Sequence, residues 1–409
     1  MMQSNAFTIK ESIARVSLQI AIGAATLWDY RLVDLRLFDG VAILMLGLWL
    51  ILTPKAQGGF SLLRRGYWFL FLTFAVYAVA GFILHKHRSS LAIFGFTAIG
   101  FIFVSRTDWL RTVGPALWLL TCVHMIFFAA QFIGFYGFGQ VIDFQTIIGA
   151  TSRIMRAPTQ MRASGLFQEA NSYCLNLFVL TSASILWRPS RVLTACAALT
   201  MILSESLWGL GAALVLFLLC ELRLQTSLRR LLLSIAVSSL VIGVFFNGYL
   251  WLSKSHDENM PFLYWRITTI VSDASFQERY LQNACARDGQ THLEGDAPRS
   301  GLATLILGAG LSTRFFQECL PANGVSLLIK SFGAIGLAGL LAGFAMAIRG
   351  LSSRAKLYAI SAIGFGFTTY PLLTYGIFWL WLPTILGLLR INESGLISTN
   401  DRGAPGSAR

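Results

Sequence analysis

The stretch "RASGLFQEANSYCLNLFVLTSASILWR", Arg162–Arg188, decides the fold class. It opens with a polar segment, continues as an apolar run over 170–187 and ends on an arginine. A run of that length can cross a bilayer as a helix. Similar runs recur along all 409 residues, of which 55% are hydrophobic and only 12% charged, about half the charge of a globular domain. The composition predicts an all-α polytopic membrane protein, because only helices span a bilayer with segments this long.

About twelve spans follow from these runs. They cover 14–30, 39–53, 67–85, 89–105, 112–137, 170–187, 190–204, 206–222, 231–252, 324–348, 355–369 and 371–390. The seventh is short, and its length fits either a half-helix or a packed continuation of the eighth. Two connections are too long for simple turns. The predicted organisation is therefore spans 1–5 in 1–137, a first long loop 138–169, spans 6–9 in 170–252, a large loop 253–323, spans 10–12 in 324–391 and a polar, disordered tail 392–409.

The basic residues predict which side each loop faces. The formal net charge of +13 would suggest nucleic acid as a partner of a soluble protein, but here the cations sort into alternate connections, which is the positive-inside pattern. Pairs such as Arg64–Arg65 and Arg229–Arg230 mark inner turns. This pattern puts both termini inside and both long loops on the outer face, and nucleic acid is not an expected partner.

The cysteines and histidines indicate no metal site. Four cysteines lie in apolar runs, whereas Cys285 and Cys319 both fall in the large outer loop. An oxidising compartment would permit a disulfide between these two. The five histidines do not cluster, and no metal-ligand spacing occurs. We therefore expect neither a metal nor another cofactor.

The segment that precedes the sixth span carries the first group of candidate site residues. Arg162 opens the segment, and Gly165 allows a turn or a close approach to a ligand. Asn171 is a candidate cap for the helix that follows. Glu169 lies at the same entry, where it is either a general base or an ion-pair partner of Arg162.

The large outer loop carries two further arginines in suggestive settings. Arg266 lies among aromatic residues in "PFLYWRITTI", and Arg279 lies in the amphipathic stretch "DASFQERYLQ". A guanidinium donates in a fixed fork and stays charged at any pH, which suits it to a diphosphate. Arg162, Arg266 and Arg279 therefore outline a site for a lipid-linked pyrophosphate.

A last group surrounds the tenth span. Gly308 and Gly310 lie in "LILGAGLSTRFF", ahead of Asn323 and the run "GVSLLIKSFGAIGLAGLL". That run contains Lys330. An ionisable residue inside a span is a functional candidate, although a lysine in a first helical turn can also extend towards the interface.

Taken in order, these stretches resemble the O-antigen polymerase and O-antigen ligase superfamily. The resemblance rests on "RASGLFQEAN", the turn "LTMILSESLWGLGAAL", "RITTIVSDASFQERY", "GAGLST" and "NGVSLLIKSFGAIGLAGLL", and it covers roughly 155–348. It implies a metal-independent, GT-C-like membrane glycosyltransferase on the periplasmic face of the bacterial inner membrane. The implied substrate is an oligosaccharide on undecaprenyl pyrophosphate, among membrane lipids, with a chain-length-regulating co-polymerase and a flippase as further partners.

Two differences from the motifs of this superfamily bear on which of its members the chain resembles. Ligases of the superfamily typically carry a His ahead of the Asn that opens the last long span, and here that place is Ala322, before Asn323. The difference favours polymerase over ligase. Many relatives carry Ser-Arg after the seventh span, but this chain reads "SESLWG" with Glu205 and no arginine, so the resemblance gives that turn no role. The alternative from another class is a lipid-linked oligosaccharide flippase.

The expected reaction is an inverting single displacement. Arg266 and Arg279, with Arg162, would stabilise the leaving diphosphate. Glu169 is the first candidate for the base that deprotonates the acceptor hydroxyl, and Asp273 and Glu278 are its reserves. Gly165, Asn171, Gly308, Gly310, Asn323 and Lys330 complete the expected substrate-binding set.

Overall fold

The computed structural model describes residues 2–27, 37–53, 61–85, 100, 109–147, 156–157, 160–224, 243, 306–308, 324–368 and 376–393. This part of the chain is helical apart from one short antiparallel ladder. The helices are α1 (Met2–Thr26), α2 (Leu37–Leu52), α3 (Ser61–His85), α4 (Leu110–Phe138), α5 (Phe144–Ile147), α6 (Ala170–Trp187), α7 (Arg191–Leu203), α8 (Leu207–Leu224), α9 (Gly324–Ile348), α10 (Ser353–Gly366) and α11 (Gly376–Glu393). The ladder pairs β1 (Arg156–Ala157) with β2 (Gln160–Met161).

Three described helices contain a stretch long and apolar enough to cross a membrane. These stretches are Thr112–Phe138, Leu207–Leu224 and Ser331–Ile348. Gly40–Leu52 and Arg191–Leu203 are shorter apolar helices. The predicted helical membrane character is confirmed to that extent. The predicted spans 89–105 and 231–252, like the loop 253–323, lie outside the described residues apart from Gly100, Gly243 and 306–308.

Helix α6 forms the centre of the described bundle. Every residue from Ala170 to Leu186 is buried, and the helix packs against α4, α7, α8, α10 and α11. Several of its polar residues make hydrogen bonds to neighbouring helices. Ser182 illustrates this, because its hydroxyl accepts a hydrogen bond from Trp381 Nε1 at 3.0 Å and its carbonyl accepts one from the Tyr358 hydroxyl. Helix α6 is therefore surrounded by protein on all sides.

Helices α7 and α8 form a hairpin. Arg191 at the start of α7 donates two hydrogen bonds to Glu221 near the end of α8, at 2.8 and 3.2 Å. The two helices are thus antiparallel. This excludes the interpretation of the seventh span as a continuation of the eighth. With 13 residues, α7 is about 20 Å long, short of the roughly 30 Å of a bilayer's hydrocarbon core.

Helices α3 and α9 pack closely along a row of small residues. A Cβ on Gly66 would lie 2.4 Å from the Ala347 backbone nitrogen, and one on Gly343 would lie 3.0 Å from the Leu70 nitrogen. Small residues allow such close backbone approach between membrane helices. Helix α9 is also broken, because Gly333 has φ 58° and ψ −168°. The predicted span 324–348 has the observed bounds, but the break was not predicted.

Candidate functional site

Gln131 of α4 anchors the segment 162–169. Its Oε1 accepts hydrogen bonds from the backbone N–H groups of Ser164 at 2.7 Å and Gly165 at 2.9 Å, and its Nε2 donates to the Ile142 carbonyl at 2.9 Å. The Ser164 hydroxyl donates to the Phe167 carbonyl at 2.6 Å. The segment is therefore a fixed turn on the surface of α4. Gln131 could not be predicted from the sequence, because a lone Gln in an apolar helix carries no motif.

Gly165 occupies the tightest point of this turn. Its φ is +58°, and a Cβ there would lie 3.3 Å from the Phe128 nitrogen and 3.5 Å from the Phe128 Cα. Both the left-handed backbone and the close approach favour glycine. The predicted turn is present, and the surface that Gly165 approaches in the described structure is α4.

Arg162 lies at the start of this turn. Its Nε and Nη2 atoms are buried, and its charge acts on the thiol of Cys174, one turn into α6. Tyr136 fixes the neighbouring residue, since its hydroxyl accepts from the Met161 N–H and donates to the Met161 carbonyl, each at 3.2 Å. The guanidinium is therefore turned inwards, towards the first turns of α6.

The cap of α6 differs from the sequence-based interpretation. Glu169 is the N-cap residue, with an extended backbone and no side-chain capping bond, and its side chain is partly exposed. Asn171 lies inside the helix, and its Oδ1 accepts a hydrogen bond from the Ser206 hydroxyl. The prediction that Asn171 caps α6 was wrong. Its amide instead ties α6 to the α7–α8 turn.

That turn, Ser204–Ser206, brings a buried carboxylate to the same place. Glu205 is 2% exposed and has φ +55°. Both flanking serines are held: the Ser204 hydroxyl lies 3.0 Å from Cys174 Sγ, and the Ser206 hydroxyl also accepts from the Gly209 N–H at 3.1 Å. Glu205 acts electrostatically on the Tyr136 phenol. Arg162, Asn171 and Glu205 therefore gather at one end of α6.

The Gly308 region forms a second close contact. Gly308 has φ +79°, and a Cβ there would lie 2.3 Å from the Ser331 carbonyl oxygen. The Tyr77 hydroxyl lies 2.6 Å from the Phe332 carbonyl and 3.0 Å from the Leu307 carbonyl. Residues 306–308 thus fit into the break of α9. Lys330 precedes the break on the same helix.

The remaining predicted site residues lie outside the described residues. They are Arg266, Arg279, Gly310, Asn323, Asp273 and Glu278, together with the predicted disulfide partners Cys285 and Cys319. The convergence of Arg162 with Arg266 and Arg279 stays a prediction. Among the described residues, no group of three or more His, Cys, Asp or Glu side chains is placed to hold a metal ion.

Comparison with known proteins adds no family. The sequence matches no protein-family model and no curated protein. The function of the site must therefore be argued from its own side chains. Around the first turns of α6 these are the guanidinium of Arg162, the carboxylate of Glu205, the amide of Asn171 and the hydroxyls of Ser204 and Ser206.

Proposed function

We propose that the chain is a polysaccharide polymerase, a glycosyltransferase that moves a growing glycan from undecaprenyl pyrophosphate onto the next lipid-linked repeat unit. The proposal places it in the bacterial inner membrane, with about twelve spans, a GT-C-like arrangement and the site facing the periplasm. The observation that carries it is the presence of an inward-turned guanidinium, Arg162, and a buried carboxylate, Glu205, at the same end of α6. Charges buried in a membrane protein are costly and mark functional sites.

The two charges suit the two demands of glycosyl transfer from a pyrophosphate. The bond between the anomeric carbon and the phosphate oxygen breaks, and its electron pair leaves with the diphosphate. Arg162 would stabilise that developing charge, joined by Arg266 and Arg279 from the large loop. Each such contact is worth about 2–4 kcal/mol when it is aimed at the transition state.

The acceptor hydroxyl forms the new glycosidic bond. Its hydroxyl oxygen attacks the anomeric carbon from the opposite face, which inverts the configuration, and its proton must pass to a base. The first four residues of α6, Ala170 to Tyr173, are buried beside Arg162 and the α7–α8 turn. A site closed to water would favour transfer to a sugar over hydrolysis.

A deletion strain tests the proposed class. Cells without the chain should carry a single repeat unit on the outward-facing carrier or on the surface. A flippase would instead leave no outward-facing repeat unit, and a ligase would leave full-length polymer on the carrier. Analysis of the carrier-linked glycan separates these three outcomes, and only the first agrees with a polymerase.

Arg162 variants test the site within that strain. Arg162→Ala should abolish chain extension at normal protein level, and Arg162→Lys should restore little, because an ammonium lacks the bidentate fork. Arg188→Ala is the matched control, since Arg188 is an exposed arginine at the other end of the same helix. Normal polymer from Arg162→Ala would show that Arg162 has no role in the site.

A further inference from the structure

The backbone of Glu205 is unfavourable for its residue type. Among the described residues, Glu205 is the one non-glycine with a positive φ, +55°. This left-handed conformation is disfavoured for residues with a Cβ, and Gly or Asn adopts it at lower cost. A turn that served only to connect two helices would be more stable with either of these. The presence of glutamate therefore calls for a reason in its carboxylate.

The depth of the carboxylate adds a second cost. The turn follows α7, so it lies about 20 Å along the bundle from Arg191, the first of the 13 residues of α7. Glu205 is 2% exposed there. A carboxylate removed from water is expensive unless its charge is used or compensated.

The neighbours of Glu205 place it in the candidate site. Ser204 and Ser206 on either side are bound to Cys174 and Asn171 of α6. Arg162 acts on the same Cys174 thiol, and Tyr136 of α4 lies within electrostatic range of Glu205. The hydrogen bonds of the two serines hold the turn in register with the start of α6, so the position of Glu205 relative to the first turns of that helix is fixed.

We propose that Glu205 is the general base of the transfer. This inference rests on the proposed polymerase function. As the acceptor oxygen bonds to the anomeric carbon, its proton passes to a carboxylate oxygen of Glu205, while the electron pair of the breaking C–O bond leaves with the diphosphate beside Arg162. Glu169, the base expected from the sequence, is partly exposed at the N-cap position, whereas Glu205 combines burial with a fixed backbone.

The left-handed backbone of Glu205 allows substitutions that remove the carboxylate without disfavouring the turn. Glu205→Gly and Glu205→Asn both remove the carboxylate and both suit the left-handed turn. We expect each to fold, because both residues adopt a left-handed backbone at lower cost than glutamate. Glu205→Asp retains a carboxylate and should keep part of the activity.

The assay uses the full chain in detergent with the lipid-linked repeat unit purified from the deletion strain. Glu205→Gly and Glu205→Asn should lower kcat by about 100-fold or more, the range of general-base catalysis, with KM unchanged. A loss in kcat below tenfold in folded Glu205→Gly and Glu205→Asn, or a loss carried by KM, would each overturn the role of Glu205.

The same assay distinguishes this failure from that of the proposed function. If the parent is active and the Glu205 variants are equally active, only the role of Glu205 as general base is refuted. A parent that does not extend the lipid-linked repeat unit removes the polymerase function, and the inference about Glu205 with it.

Discussion

Gln131 is the side chain on which the geometry of the 162–169 segment most depends. Its Oε1 satisfies two N–H groups, those of Ser164 and Gly165. Gln131→Leu would leave both without an acceptor, at a cost of at least about 2 kcal/mol. We expect a lower unfolding temperature and reduced chain extension. Gln140→Leu, an exposed glutamine beyond the end of α4, should change neither, and an unchanged unfolding temperature in Gln131→Leu would contradict the anchor.

Gly165 permits a second test at the same turn. Gly165→Ala places a Cβ at φ +58°, 3.3 Å from the Phe128 nitrogen. The left-handed backbone alone costs about 1–2 kcal/mol, so thermal unfolding should occur at a lower temperature. Gly47→Ala is the control, because a Cβ at this position in α2 meets nothing within 4 Å. That change should stabilise the helix by about 0.5–1 kcal/mol. Equal effects of the two changes would refute the close packing at Gly165.

Individual residues were harder to predict than helices. The sequence placed Arg162 and Gly165 in a turn before α6, because polar and glycine residues there interrupt an apolar run. It failed at Asn171, since an asparagine near a helix start is typical of a cap, whereas here Glu169 is at the cap position and the Asn171 amide bonds to the α7–α8 turn. Glu205 was given no role, because the turn reads "SESLWG" and lacks the Ser-Arg pair that many members of the resembled superfamily carry there.

Among the helices, long apolar runs predicted some bounds closely and others poorly, since α1 covers Met2–Thr26 where the span 14–30 was predicted. The predicted spans 170–187 and 324–348 match α6 and α9, since polar residues flank both runs. The break at Gly333 was not predicted, because a glycine in an apolar helix can mark either a break or a close contact with a neighbouring helix. Helix α9 contains both kinds of glycine. Gly336 approaches the Tyr77 hydroxyl from an unbroken turn, whereas Gly333 has φ +58°. Only the neighbouring helix and the 306–308 segment distinguish them.

The close contact between α3 and α9 can be tested by adding a side chain to it. Gly66→Ala would put a Cβ 2.4 Å from the Ala347 backbone nitrogen, so the two helices would have to separate. Overpacking of this kind costs about 1–3 kcal/mol. We expect a lower unfolding temperature of the purified protein. Gly40→Ala in α2, where a Cβ meets nothing within 4 Å, should not lower it. A tolerated Gly66→Ala would show that α3 and α9 are not in such close contact.

At the scale of the whole molecule, the described helices give the bundle two distinct ends. Helices α4 and α6 are antiparallel, because Phe128 stacks on Tyr173 at 4.8 Å while Thr121 lies 3.3 Å from Ser184. The end of α4 and the start of α6 therefore share one end, with Arg162 and Glu205. Arg188 and the Arg191–Glu221 pair mark the other. The distribution of arginines predicts that the second end faces the cytoplasm.

Thiol labelling tests this orientation directly. Gln140→Cys puts an exposed thiol beyond the end of α4, at the site end, and Arg188→Cys puts one at the opposite end of α6. The 18 residues of α6 alone span about 27 Å. A membrane-impermeant maleimide should label Gln140→Cys in intact spheroplasts and Arg188→Cys only after permeabilisation. The parent chain gives the background from its native cysteines. The reverse pattern would place Arg162 and Glu205 on the cytoplasmic side, where a periplasmic polymerase cannot use them, whatever their chemistry.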